Sequence, residues 1–228
     1  MDIVRRSVRR VGYGLITLSQ QKKSPELDLS GDREIEWAWI AGNLPERPGQ
    51  VLDFGPGSST TPLFAALAGG TVFSLDLMPP AQRLYALPGI TAVQGDLLTF
   101  DFGTRRFDTV INCSTVEHVG LGGRYGSPNV ADGDLRAMRR LRELMSGPEA
   151  RMLLTIPVGR DGIFAPVHRV YGNTRLPQLL DGFRAVREVY FVKSPRERLW
   201  REAPRDEALA VQGSESFYAL GLFVLSPS

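Results

Sequence analysis

Val51-Leu52-Asp53-Phe54-Gly55-Pro56-Gly57-Ser58-Ser59 is the stretch that decides the fold of this 228-residue chain. Residues 51–54 are predicted to form a short buried strand, and a helix is predicted to begin at about Thr61. The two glycines between them allow the backbone to turn sharply and to approach a ligand closely. The stretch therefore predicts the first strand–turn–helix unit of a nucleotide-binding α/β fold.

The turn departs from the pattern of a dinucleotide site. Such a site normally has a third glycine three residues later, where this chain has Thr60. Asp53 lies two residues before the first glycine, where its charge would repel a pyrophosphate and suit a cationic ligand. An NAD(P)-dependent oxidoreductase is disfavoured on these grounds, and also because the chain lacks an obvious Tyr-x-x-x-Lys pair for hydride transfer.

Two further acids follow the next predicted strands. Asp76 ends a strand over residues 71–76. It follows the glycines by roughly 20 residues, the separation at which nucleotide folds place the acid that binds ribose hydroxyls. Asp96 follows a short strand over residues 90–94, and a fourth, apolar strand is predicted over residues 107–113. Because the carboxyl ends of parallel strands share one edge of the sheet, these acids are predicted to face one crevice.

The Asp-x-Gly-x-Gly turn resembles motif I of class I S-adenosylmethionine (SAM) methyltransferases, whose cofactor carries a sulfonium and an ammonium but no phosphate. Ser59 stands where that motif usually has its third glycine. The resemblance implies a Rossmann-like, doubly wound, seven-stranded and mostly parallel sheet with an antiparallel last strand, and SAM as cofactor. The cofactor-binding residues that it implies are Asp53, Gly55, Gly57, Ser58, Asp76, Leu77, Asp96, Leu97, Cys113 and Glu117.

Both histidines of the chain are predicted just beyond strand ends on the ligand side. His118 follows the fourth strand and His168 follows a fifth strand over residues 151–156. Histidine titrates near neutrality, so it can accept the proton of a hydroxyl or amine that attacks a methyl group. One histidine is predicted to be the general base and the other to orient the acceptor, in either order.

Longer motifs extend the resemblance over roughly residues 32–225. Residues 114–126 (Ser-Thr-Val-Glu-His-Val-Gly-Leu-Gly-Gly-Arg-Tyr-Gly) and Pro-Val-Gly-Arg-Asp followed by His-Arg-Val-Tyr resemble an uncharacterised methyltransferase-like family associated with glycan and polysaccharide gene clusters. That resemblance implies a small, saccharide-containing acceptor that is methylated on a hydroxyl or amine. Residues predicted to contact the acceptor are Arg124, Tyr125, Arg169 and Tyr171.

Other chemistry at this edge is less favoured. Glu117, Asp132 and Asp134 with a histidine offer oxygen ligands for a divalent cation, but helix capping by the aspartates is preferred and no metal is predicted. Cys113 is interpreted as strand packing, since nothing nearby in the sequence would activate a thiolate. A module that binds SAM without chemistry, inside a biosynthetic complex, remains the main alternative to an enzyme.

The flanking segments divide the chain into an N-terminal helical cap over residues 1–45 and a methyltransferase domain over residues 46–228. The cap begins with a basic amphipathic helix, interpreted as covering the fold or docking a second subunit, or alternatively as weakly contacting an anionic membrane surface. A second helix is predicted over residues 32–41. A charge-mixed excursion over residues 193–214 is interpreted as a lid or oligomer contact, or else as a solvated loop.

Composition narrows the class of protein. The formal net charge is +2, so nothing global points to nucleic acid as a partner. One cysteine excludes an internal disulfide and fits a reducing compartment. No apolar run approaches the ~20 residues of a membrane span. We therefore predict a cytoplasmic enzyme with a small-molecule or saccharide acceptor, and leave a homo-oligomer open.

Overall fold

The computed structural model describes residues 31–79, 88–123, 125, 128–194 and 199–228. The basic helix predicted before residue 24 and the predicted acceptor contact Arg124 lie outside the described residues.

The described residues form five α-helices and ten strands. Helices α1 to α5 are Arg33–Asn43, Thr61–Leu67, Gly133–Leu144, Arg175–Leu179 and Arg205–Ala210. Strands β1 to β5 are Gln50–Phe54, Thr71–Asp76, Ile90–Gln94, Thr109–Cys113 and Arg151–Val158. Strands β6 to β10 are Gly162–Phe164, His168–Val170, Phe183–Lys193, Trp200–Ala203 and Ala219–Pro227. A 3-10 turn spans Val116–His118 after β4.

The main sheet has the strand order β3-β2-β1-β4-β5-β10-β8-β9. Strands β1 to β5 pair in parallel, and β10 pairs antiparallel to both β5 and β8. The mixed α/β architecture, the mostly parallel sheet and the antiparallel last strand are confirmed. The order reverses between β1 and β4, which in doubly wound sheets opens a ligand crevice at the carboxyl ends of the strands.

Apolar side chains fill both faces of the sheet, so the fold has three layers. One cluster contains Met138 and Leu141 from α3, Leu176 from α4 and Ala208 from α5. The other cluster lies on the opposite face of the sheet and contains Ile40 from α1 and Ala65 from α2. Because both faces are covered, β4 is buried at every position, as expected for a central strand of a parallel sheet.

Two features were not predicted from the sequence. Part of the 193–214 excursion forms strand β9, which pairs antiparallel with β8, and helix α5, whose Ala208 and Leu209 are buried. The excursion therefore extends the sheet by an eighth strand where a loop was expected. After β5 the chain forms the β6–β7 hairpin, which carries His168.

Along the described part of the chain, no helix is long and apolar enough to cross a membrane.

Candidate active site

A pocket of about 270 Å³ opens at the carboxyl ends of β1, β2, β3 and β4. Ten of the residues that the sequence singled out line it: Gly55, Gly57, Ser58, Asp76, Leu77, Asp96, Leu97, Cys113, His118 and Tyr125. The glycine turn, the two strand-end acids and one histidine therefore meet in one crevice, as their register predicted.

The two glycines of the turn are needed for different steric reasons. Gly55 and Gly57 both have positive φ, at 65° and 56°. A Cβ at Gly55 would lie 2.1 Å from Cγ2 of Thr115, whereas a Cβ at Gly57 would meet nothing within 4 Å. Gly55 thus lets the β1 and β4 loops pack together, and Gly57 borders open space where a ligand can approach the backbone.

The strand-end acids present carboxylates beside this turn. Oδ2 of Asp76 accepts the Gly57 N–H at 2.8 Å, and Oδ1 accepts the Met78 N–H at 2.8 Å. Oδ1 of Asp96 accepts the Leu98 N–H at 2.9 Å. Each carboxylate oxygen has a second lone pair, so both acids can also accept hydrogen bonds from ligand hydroxyl or amino groups. The two carboxylates that line the pocket beside this turn would repel a pyrophosphate, which favours a nucleoside without phosphates.

Asp53 lies beneath the turn and does not line the pocket. Its side chain is fully buried, and Oδ2 accepts the Thr61 hydroxyl at 2.8 Å, which ties β1 to the start of α2. Burial raises the pKa of Asp53 to about 7, so the charge that would attract a cation is weakened. The structure therefore assigns Asp53 to support of the glycine turn, where the sequence predicted direct cofactor contact.

The end of β4 is held by a buried carboxylate on α1. Glu36 is fully buried and accepts hydrogen bonds from the hydroxyls of Ser114 and Thr155 and, at 2.7 Å, from the guanidinium of Arg33. Ser114 has a φ of 46°, a strained conformation that non-glycine residues adopt mainly where the surroundings enforce it. Burial raises the pKa of Glu36, and the Arg33 charge opposes that shift.

His118 is oriented by a backbone carbonyl. Its Nδ1 lies 2.5 Å from the carbonyl oxygen of Val167, and because a carbonyl only accepts, Nδ1 carries the hydrogen in the neutral ring. Nε2 then keeps the basic lone pair, and it lies 3.6 Å from Oε1 of Glu117. The ring also packs edge-on against Tyr125, with centroids 5.6 Å apart.

Glu117 lies behind His118 and outside the pocket lining. Its side chain is buried, and burial raises its pKa to about 8. The carboxyl group is therefore largely protonated at neutral pH. The structure places Glu117 beside the histidine, where the sequence predicted contact with the cofactor.

The hairpin after β5 turns three predicted site residues away from the pocket. Nε2 of His168 lies 3.0 Å from the carbonyl oxygen of Ser214, and the ring packs against Tyr218. Arg169 and Tyr171 are 1% and 0% exposed, and neither is among the residues that line the pocket in which acceptor contact was predicted. All three side chains are engaged inside the fold.

The acids considered for a metal do not converge. Asp134 is fully buried and forms an ion pair of 2.6 Å with Arg175, and its Oδ2 accepts the Tyr171 hydroxyl at 3.1 Å. The described residues contain no group of three or more His, Cys, Asp or Glu side chains arranged to hold a metal ion. Asp132 precedes α3 at the capping position but makes no side-chain capping bond.

Helix α1 contributes two pocket residues that sequence reasoning missed, Arg33 and Trp37. The Arg33 side chain is 45% exposed and combines a guanidinium in the pocket with its ion pair to Glu36. The sequence signal for this arrangement is Glu36, an acidic residue at a helix position that faces the core. A charged residue on the inner side of a helix indicates a polar partner elsewhere in the fold.

Solved structures share this architecture over most of the chain. The N-methyltransferase NodS from Bradyrhizobium japonicum WM9, in complex with S-adenosyl-L-homocysteine (SAH), superimposes with a TM-score of 0.57 at 14% identity, over 90% of this chain and 92% of that chain. This chain has the fold of class I SAM-dependent methyltransferases. Strand order, glycine turn and strand-end acids all agree with that fold.

Two further methyltransferases of this fold differ widely in what they act on. The 1,6-didemethyltoxoflavin-N1-methyltransferase of Burkholderia thailandensis gives a TM-score of 0.53 at 17% identity, over 98% of this chain and 90% of that one. The magnesium protoporphyrin IX methyltransferase of Synechocystis PCC 6803, with bound SAM, gives a TM-score of 0.53 at 16% identity, over 89% of this chain and 81% of that one. The methyltransferase fold therefore leaves the acceptor open.

Sequence comparison adds a family without an assigned activity. Residues 96–199 match a family described as "Caenorhabditis protein of unknown function, DUF268". The matched segment is less than half of the chain, and it contains Asp96, His118 and the β6–β7 hairpin. No curated protein matches the sequence.

Proposed function

We propose that this protein is a SAM-dependent methyltransferase that methylates a hydroxyl or amine of a small acceptor. The observation that carries the proposal is the meeting of Gly57, Asp76, Asp96 and His118 in one pocket at the switch point of the sheet. Bound SAM supplies a methyl group on a positively charged sulfur, and the transfer leaves SAH and the methylated acceptor.

The residues present fit the parts of this cofactor. Asp76 would accept the ribose hydroxyls, and Asp96 would accept the adenine amino group with Leu97 against the ring. The open side of Gly57 admits the methionine portion past the turn. Arg33 provides a guanidinium for a carboxylate at the same end, where its ion pair with Glu36 fixes its position.

His118 is the stronger candidate for the general base. It lines the pocket with Nε2 as its basic nitrogen, whereas His168 lies outside the pocket lining and its Nε2 is bonded to the carbonyl of Ser214. His118 would accept the proton that the acceptor hydroxyl or amine loses as its lone pair attacks the methyl carbon. Most of the rate in such a displacement comes from holding the nucleophile in line with the methyl group, and proton transfer adds to it.

We further propose a saccharide-containing acceptor. Trp37 and Tyr125 place two aromatic side chains at the pocket, and such rings offer an apolar face with a polar edge. This combination suits the faces and hydroxyls of a sugar ring. The resemblance of residues 114–126 and 157–171 to a family from polysaccharide gene clusters points to the same acceptor class.

Methyl transfer from SAM with a labelled methyl group tests this function, with a panel of nucleotide sugars, amino sugars and glycosides beside a set of non-saccharide alcohols and amines. We expect label in at least one saccharide and stoichiometric SAH. Label only in non-saccharide acceptors would overturn the acceptor class. SAH binding without label transfer to any acceptor would indicate the silent binding module.

A further inference from the structure

Arg169 is a buried cation whose position does not follow from packing alone. Its side chain is 1% exposed, and its guanidinium extends from β7 beneath the 3-10 turn that carries His118. Burial of a charge costs free energy, and an apolar side chain of similar size often serves stability as well or better. Stability alone therefore does not explain why a guanidinium is buried here, and its hydrogen-bond partners indicate its role.

Those contacts lie on both sides of His118 in the sequence. Nη1 donates to the carbonyl oxygens of Val119 at 2.7 Å and Glu117 at 3.3 Å, and Nη2 donates to that of Ala131 at 3.4 Å. The two carbonyls at 117 and 119 bracket the histidine. A planar guanidinium offers donors in fixed directions, so it can fix the geometry of this turn in a way that a single ammonium cannot.

The same strand region supplies the partner of the imidazole. Val167, two residues before Arg169, accepts from Nδ1 of His118. Nε of Arg169 lies 3.7 Å from Oδ2 of Asp134, an ion-pair distance that is too long for a hydrogen bond. Asp134 thus anchors the guanidinium from α3 while the hairpin backbone anchors the ring.

We infer that Arg169 is a positioning residue for His118. It holds the backbone on both sides of the histidine against the hairpin, so that Val167 receives Nδ1–H and Nε2 remains the basic nitrogen of a ring that lines the pocket. This inference rests on the proposed function for the catalytic role of His118. The orientation itself does not depend on that function.

Nuclear magnetic resonance of the full chain with 15N-labelled histidine tests the inference, because the chain contains only two histidines. The ring nitrogens report the tautomer directly, and His118→Gln and His168→Gln assign the signals. At alkaline pH we expect the Nδ1–H tautomer for His118 in the wild type. In Arg169→Lys we expect a mixture of tautomers.

Tyr171→Phe is the matched control. It removes another partner of the buried Asp134 but none of the bonds to the carbonyls of residues 117 and 119. We expect it to lower thermal stability and leave the His118 signals as in the wild type. With a working acceptor, Arg169→Lys should lower kcat about 10- to 100-fold, as expected for a small misplacement, with SAH affinity within a few-fold.

Unchanged His118 signals in Arg169→Lys, with a loss of stability like that of Tyr171→Phe, would show Arg169 to be structural only. If Arg169→Lys does not fold, an Nε2–H tautomer in the wild type overturns the inference by itself, and an Nδ1–H tautomer supports it. Failure of the wild type to bind SAH would instead count against the proposed function, and it would leave the tautomer result standing.

Discussion

Asp76 and Gly57 are joined by a hydrogen bond of 2.8 Å from the Gly57 N–H to Oδ2 of the carboxylate. The bond links the end of β2 to the turn after β1, across 19 positions of sequence. The same carboxylate also accepts the Met78 N–H through Oδ1. The side chain predicted to bind ribose therefore also fixes the turn that borders the pocket.

Asp76→Ala is expected to weaken SAH binding about 10-fold or more, because a lost acceptor opposite buried donors costs about 1–3 kcal/mol. Isothermal titration calorimetry measures the change. Asp101→Ala is the matched control, since Asp101 bonds the Gly103 N–H at 2.8 Å in a loop outside the pocket lining. Equal SAH affinity of wild type and Asp76→Ala would remove the ribose assignment.

Gly57 and Gly103 form a natural pair for a steric test. Their φ values are 56° and 55°, and a Cβ at either would meet nothing within 4 Å. Alanine at either position should cost a similar ~1–2 kcal/mol of stability through the left-handed backbone. Only Gly57→Ala should also weaken SAH binding, because its Cβ enters the ligand side of the turn. Equal SAH affinity in both variants would place the cofactor elsewhere.

The local sequence pattern was sufficient to predict the acids and the first histidine, because they directly follow strands whose apolar character is readable. Asp76, Asp96 and His118 reach the pocket for that reason. Asp53 departs from its predicted role because the same pattern does not distinguish a strand residue that points into the pocket from one buried beneath the turn.

The remaining departures depend on contacts between distant positions. Arg33 faces the pocket because Glu36 bonds Ser114 and Thr155, which are 78 and 119 residues away. His168 and Arg169 were placed at the ligand edge by their distance from β5, but the short β6–β7 hairpin redirects them. The carbonyl groups that accept hydrogen bonds from Arg169 lie 38 to 52 residues away along the chain.

The two histidines are expected to respond differently to substitution. His118→Gln should lower turnover about 10²- to 10⁴-fold with SAH affinity unchanged, because positioned proton transfer contributes that order of rate. His168→Gln should mainly lower thermal stability, since its Nε2 bonds the Ser214 carbonyl. Steady-state methyl transfer and thermal unfolding of both variants make the comparison. A larger loss of turnover in His168→Gln would reverse the assignment of the base.

The buried carboxyl of Glu117 predicts a pH dependence of stability. Its pKa is about 8 in the folded protein against 4.5 for an ordinary glutamate, so the folded state retains a proton that the unfolded chain releases in between. Its contribution to stability is complete below about pH 4.5 and is lost as the pH rises towards about 8. Relative to Glu117→Gln, the wild type should lose up to about 1.4 kcal/mol of unfolding free energy per pH unit in this window.

Denaturant unfolding at a series of pH values measures this difference. Glu149→Gln is the control, because the Glu149 side chain is 95% exposed and its substitution should leave the pH profile of stability unchanged. Comparison with Glu117→Gln isolates this group from Asp53 and Glu36, whose raised pKa values act in the same direction. Parallel pH profiles of wild type and Glu117→Gln would contradict the protonated state.

Calorimetric titration of the full chain with SAH, and separately with NADH, tests the central claim most directly. The glycine turn, the paired acceptors of Asp76 and Asp96 and the absence of a third glycine at Thr60 predict saturable binding of one SAH per chain and no binding of NADH. Saturable binding of NADH with no heat from SAH would contradict it.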